Sequence, residues 1–130
     1  MFAIIDRRAN ACLPVSLETK EFEERKLLIQ GDITQDSAFE FVRAMLYLNR
    51  CSQTSPIDIY VNSPGGNIDA GLLYIHVIRS SPAPIRMFCL GCAYSMAALI
   101  FACGIKGTRF MLPSTSVKQR NNFLCEIKKE

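Results

Sequence analysis

Tryptophan is absent from this 130-residue sequence, and histidine occurs once, at position 76. One histidine excludes a zinc site built on paired histidines. Cys89 and Cys92 are spaced C-x-x-C, but no second such pair completes a four-cysteine site. Alternate residues of a strand face opposite ways, so these two thiols read as small core residues. No metal site and no cofactor is expected. Long apolar runs are missing too. The longest, Met96 to Cys103, is far short of the roughly 20 residues that cross a bilayer. The first residues, Met1-Phe-Ala-Ile-Ile-Asp-Arg-Arg8, turn charged too early for a signal peptide or a membrane span. Dense basic tracts are lacking: 15 basic and 12 acidic residues leave a net charge of +3, and the closest clusters are Arg7-Arg8 and Lys128-Lys129. Nucleic acid and membrane are therefore not expected partners. Six cysteines without a signal peptide point to a reducing cytoplasm.

What the chain does have is material for a core. Apolar residues make up 49%, charged residues 21%, and the mean hydropathy is +0.14. A domain near this size buries roughly 65–70% of its unfolded surface. The length suits one domain over residues 1–130, or part of one.

The pattern along the chain predicts an α/β fold. Residues 1–22, broken by Pro14, read as an extended arm. Lys26-Leu-Leu-Ile-Gln-Gly31 reads as a buried strand closed by glycine. Thr34 is a candidate N-cap for a helix over about 35–49, with Phe39, Val42, Leu46 and Leu48 at helical spacing. Ile57-Asp-Ile-Tyr-Val-Asn62 is rich in strand formers. A second helix follows over 67–80, with Ile68, Leu72, Ile75 and Ile78 on one face, ended by Pro82 and Pro84. Ile85 to Leu90 reads as a strand, Gly91 to Tyr94 as a turn, Ser95 to Cys103 as a buried helix, and Thr108 to Pro113 as a short strand. Alternation of this kind implies βαβ units around a mainly parallel sheet. Residues 114–130 turn polar and basic and have no role in that pattern.

Two strand-to-helix turns carry the chemical interest. In Asn62-Ser-Pro-Gly-Gly66, glycines permit a sharp turn whose free N–H groups can face an oxyanion. In Gly91-Cys-Ala-Tyr-Ser-Met-Ala97, Ser95 opens an apolar helix. A serine there is ordinarily an N-cap. Both turns follow strands, so in a parallel sheet both lie at its carboxyl edge, where such sheets place their sites. A serine hydroxyl beside a glycine N–H and the N–H of Met96 is the arrangement of acyl transfer.

At these residues the chain resembles the proteolytic subunits of the Clp protease. Tyr60-Val-Asn-Ser-Pro-Gly-Gly-Asn-Ile-Asp-Ala-Gly-Leu72 is similar to the family segment built on Y-I-N-S-P-G-G. Gly91-Cys-Ala-Tyr-Ser-Met-Ala-Ala98 is similar to G-Q-A-A-S-M-G-A, and Gly104-Ile-Lys-Gly-Thr-Arg-Phe-Met-Leu-Pro113 to G-A-K-G-K-R-F-A-L-P. The blocks keep their spacing without gaps, and the resemblance spans about residues 20–117. It implies a crotonase-like fold of stacked ββα units, incomplete at the C-terminus. It also implies a serine endopeptidase with Ser95 as nucleophile and the backbone N–H groups of Gly66 and Met96 as oxyanion donors. The expected partners are an AAA+ unfoldase, a homo- or hetero-oligomeric ring, and unfolded polypeptide as substrate.

The resemblance also marks departures. The family's general-base histidine falls at Arg120, and arginine keeps its proton at any working pH. No counterpart is expected for the triad aspartate or the handle helix. Residues 118–130 read as a divergent tail, from a truncation or frame change, which leaves a non-catalytic or remnant subunit as the alternative. His76, within the helix between the two turns, reads as an ordinary helix residue. Asp58 and Asp69 read as solvent-facing or capping.

Overall fold

The computed structural model describes residues 3–8, 11–105 and 107–118. The first elements are β1 (Ala3–Arg8) and β2 (Ala11–Ser16), an antiparallel pair, followed by helix α1 (Leu17–Glu23). This corrects the extended-arm expectation. Pro14 pairs opposite Ile5 inside β2, because in a two-stranded ribbon either strand has a free edge that tolerates a missing N–H. Ser16 caps α1, accepting from the Thr19 N–H at 3.2 Å.

A parallel sheet follows, built from β3 (Lys26–Gln30), β4 (Ile57–Ser63), β5 (Ile85–Tyr94) and β6 (Arg109–Met111) in that spatial order. Next in the chain, β7 (Ser116–Lys118) lies off this path and pairs with the end of β5. The connecting helices are α2 (Gln35–Cys51), α3 (Ile68–Arg79) and α4 (Met96–Ala102). The alternation and the parallel pairing agree with the sequence expectation. Two details differ. β5 does not turn at Gly91 but continues to Tyr94, and the polar segment after Pro113 contributes β7.

One sheet face supplies Ile29, Ile57, Ile59, Val61, Met87 and Cys89 to the core, all buried. Against it pack Phe41, Met45 and Leu48 of α2, Ala70, Tyr74 and Ile78 of α3, and Ala97, Ile100 and Phe101 of α4. The opposite face carries Tyr60, Phe88 and Phe110 stacked across three strands at 4.9 and 5.1 Å. The helical stripes chosen from the sequence are corrected here. Phe39 and Leu46 of α2, and Ile68 and Leu72 of α3, are exposed. Both helices are apolar on more than one side, so a 3.6-residue period alone does not select the buried stripe.

Arg25 ties the last turn of α2 to the loop that follows it. Its guanidinium donates to Leu48 O at 2.7 Å, to Ser52 O and Ser55 O at 3.0 Å, and to Pro56 O at 3.4 Å. A fixed cation at that end also suits the helix dipole. Asp58, expected at the surface, is nearly buried and pairs through both oxygens with Arg86 on the neighbouring strand. Among the described residues no helix is long and apolar enough to cross a membrane.

Candidate active site

Ser95 stands between β5 and α4 with φ 55° and ψ −121°. Among the described residues only Arg25 shares a positive φ without being glycine. An L-residue there is strained by roughly 1–2 kcal/mol. The backbone around it is over-determined. The Ser95 N–H donates to Lys118 O at 2.8 Å, and the Ser95 carbonyl accepts from Ala98 N–H at 3.0 Å and Leu99 N–H at 3.4 Å. The hydroxyl makes no capping bond to α4. The ordinary reading of such a serine, an N-cap, is therefore not what this residue does. Its side chain is half-buried, and among the described residues its hydroxyl makes no hydrogen bond.

The glycine turn is built against this serine. A Cβ placed on Gly65 would lie 2.7 Å from Tyr94 O, 3.0 Å from Ser95 Cβ and 3.3 Å from Met96 N. Only a glycine admits that approach. Gly66 is held on its other side by Ile33. The Ile33 N–H donates to Gly65 O and the Asn67 N–H to Ile33 O, each at 2.9 Å. Buried Ser63 fixes the bend, donating to Gly31 O at 2.6 Å and accepting from the Gly65 N–H at 3.1 Å. Asn67 then starts α3, its Oδ1 accepting from the Ala70 N–H at 2.9 Å.

The two expected oxyanion donors stand in these turns. The Gly66 N–H is not used by the Ile33 bridge, and the Met96 N–H is the first of α4, where helical amides lack an internal partner. The buried Met96 side chain packs on α3, with Cγ 2.6 Å from where a Cβ on Gly71 would stand. Sequence patterning thus brought Ser95, Met96 and the Gly65-Gly66 turn to one edge. It did not single out Ser63, Ile33 or Lys118, which hold them there. A serine inside an N-S-P-G-G turn is the one signal that could have flagged Ser63.

His76 is exposed in the last turn of α3, roughly 12 Å along the helix from Ile68. It stands at the far end of α3 from the glycine turn. Arg120 lies outside the described residues. Cys89 is buried on β5, and burial pushes its thiol up to about 11, which keeps it protonated and unreactive near neutral pH. Among the described residues no group of three His, Cys, Asp or Glu side chains could hold a metal ion.

Two helix-opening turns thus meet at the carboxyl edge of a parallel sheet, one presenting a strained serine against a glycine pair. The Clp protease family model matches residues 15–119, and the chain belongs to that family. It is 34% identical over 111 residues to an ATP-dependent Clp protease proteolytic subunit of Leuconostoc citreum, covering 85% of this chain and 56% of that protein. A proteolytic subunit from Bdellovibrio bacteriovorus is 27% identical over 88% of this chain and 54% of its own length. A proteolytic subunit 3 from a Synechococcus strain is 35% identical over 79% of this chain and 52% of its own. The chain spans about half the length of the curated relatives it matches.

Proposed function

We propose that the chain is a Clp-type serine endopeptidase subunit that cleaves unfolded polypeptide delivered by an AAA+ unfoldase within an oligomeric ring. Ser95 is the nucleophile. Its Oγ attacks the scissile carbonyl carbon, the carbonyl oxygen takes negative charge, and the N–H groups of Gly66 and Met96 hold that charge. Collapse breaks the C–N bond, leaves an ester on Ser95 and releases the amine; water then hydrolyses the ester. The proton leaving Oγ must pass to a base and on to the amine. The observation that carries this reading is the strained Ser95 backbone with its hydroxyl free of any capping bond.

One observation favours a second reading, a subunit with a structural role and little chemistry of its own. Arg120 occupies the position where the resemblance places the base, and a guanidinium cannot accept the proton. Loss of a triad member lowers the rate on the order of 10⁴ to 10⁶. Labelling of the purified chain with a fluorophosphonate probe separates the two readings. Adduct on Ser95 that is absent from Ser95→Ala supports the peptidase and assigns the proton to a group other than residue 120. No adduct on a folded chain supports the structural subunit.

A further inference from the structure

β4 and β5 run in simple parallel register from Ile57 opposite Ile85 to Val61 opposite Cys89, and then slip: the next pair is Ser63 opposite Ala93. Asn62 alone therefore faces Leu90, Gly91 and Cys92. A bulge of this kind loses its ladder bonds and bends its strand. Here a side chain replaces the missing backbone acceptor. Asn62 Oδ1 accepts from the Cys92 N–H at 3.3 Å and from Cys92 Sγ at 3.5 Å. The fit depends on Gly91, which has φ +84° and leaves room: a Cβ there would stand 2.9 Å from the same Oδ1. The Asn62 carbonyl meanwhile accepts from the Gly31 N–H at 3.1 Å, so the residue is anchored to the end of β3, which also receives Ser63.

We propose that Asn62 is a positioning residue for Ser95. By clamping the bulge it sets the path of Ala93 and Tyr94, and hence where the serine meets the Gly65-Gly66 turn. The proposal rests on the reading of Ser95 as nucleophile only for its consequence on rate; its structural content stands apart. Asn62 is exposed and touches no reacting atom in this scheme. Its loss should disturb the site more than the fold.

The test compares the wild-type chain with Asn62→Ala, Asn62→Leu (similar bulk without the acceptor) and Asn62→Asp, which keeps an acceptor oxygen. Thermal melts establish that each variant folds. Two readouts follow: amide hydrogen exchange resolved by NMR at Cys92 and Ser95, and the concentration dependence of fluorophosphonate labelling. Loss of one hydrogen bond should speed exchange at both amides about five- to tenfold in the Ala and Leu variants. The maximal labelling rate should fall ~10-fold or more at an unchanged half-saturating probe concentration, because orientation rather than binding is lost. Asn62→Asp should restore both. Wild-type exchange at Ser95 in either folded variant that lacks the acceptor overturns the proposal, as does an unchanged labelling rate. Should the wild-type chain itself take no label, the nucleophile reading fails. Exchange at the Ser95 amide then decides the positioning role by itself: faster in Asn62→Leu supports it, unchanged overturns it.

Discussion

The turn after β4 and the turn after β5 both bend where a parallel strand gives way to a helix, yet they meet the conformational demand in opposite ways. The first spends glycine on it: Gly65 and Gly66 take φ of 102° and 155°, and neither has a side chain to strain. The second places a serine at φ 55° and holds it with the Lys118 carbonyl and the first amides of α4. A glycine would satisfy the backbone there more easily. The difference teaches where strain is tolerated. It is absent from the glycine turn, which offers the site backbone alone, and present at the one residue of the pair of turns that offers a hydroxyl.

That contrast can be broken or sharpened by substitution. The largest effect is expected for Gly66→Ala. Its new Cβ would fall onto Ile33, with the Ile33 N at 2.7 Å and its carbonyl oxygen closer still. Backbone cannot move aside cheaply, so a loss of ~3 kcal/mol or more is expected in urea unfolding. A loss below about 1 kcal/mol would mean the glycine turn adapts and the two turns are not distinct. Ser63→Ala should cost ~1–3 kcal/mol, because it orphans the Gly65 N–H inside the core. The urea midpoint reads it directly, and a neutral result would assign the bend to the glycines alone. The smallest change is expected for Ser95→Gly, with opposite sign. Relief of strain, offset by glycine's greater freedom when unfolded, should raise stability by about 0.5–1 kcal/mol. Calorimetry of Ser95→Gly beside Ser95→Ala measures that gain, and destabilisation by the glycine would remove strain from the comparison.

The sequence made the alternation of strands and helices legible because β-branched runs and capped helices repeat in a regular order. Thr34 does cap α2, and Ser37 returns the bond to its N–H, as local chemistry dictates. The buried helical stripes were not legible. Phe39 looked like core and Phe41 is core, a choice made by packing against Tyr74 at 4.6 Å. Nor was the continuation of β5 past Gly91, since glycine signals a turn and a bulge alike until its partner strand is known. At the site, Ser95 and the glycine turn stood out through their flanking motifs. The supports Asn62, Ser63 and Lys118 did not, because their roles depend on neighbours distant along the chain. Asp58 failed for the same reason: its partner Arg86 lies on the next strand.

The bond between the Ser95 N–H and Lys118 O has a consequence in time. While the chain is being made, the serine is incorporated before its acceptor exists. At ~5–20 residues per second the interval is roughly one to five seconds. Through that interval the amide of Ser95 has no strand on that side, and its left-handed backbone lacks one of its restraints. A nascent chain therefore carries the serine before it carries the conformation, and that backbone gains its last restraint only when β7 arrives.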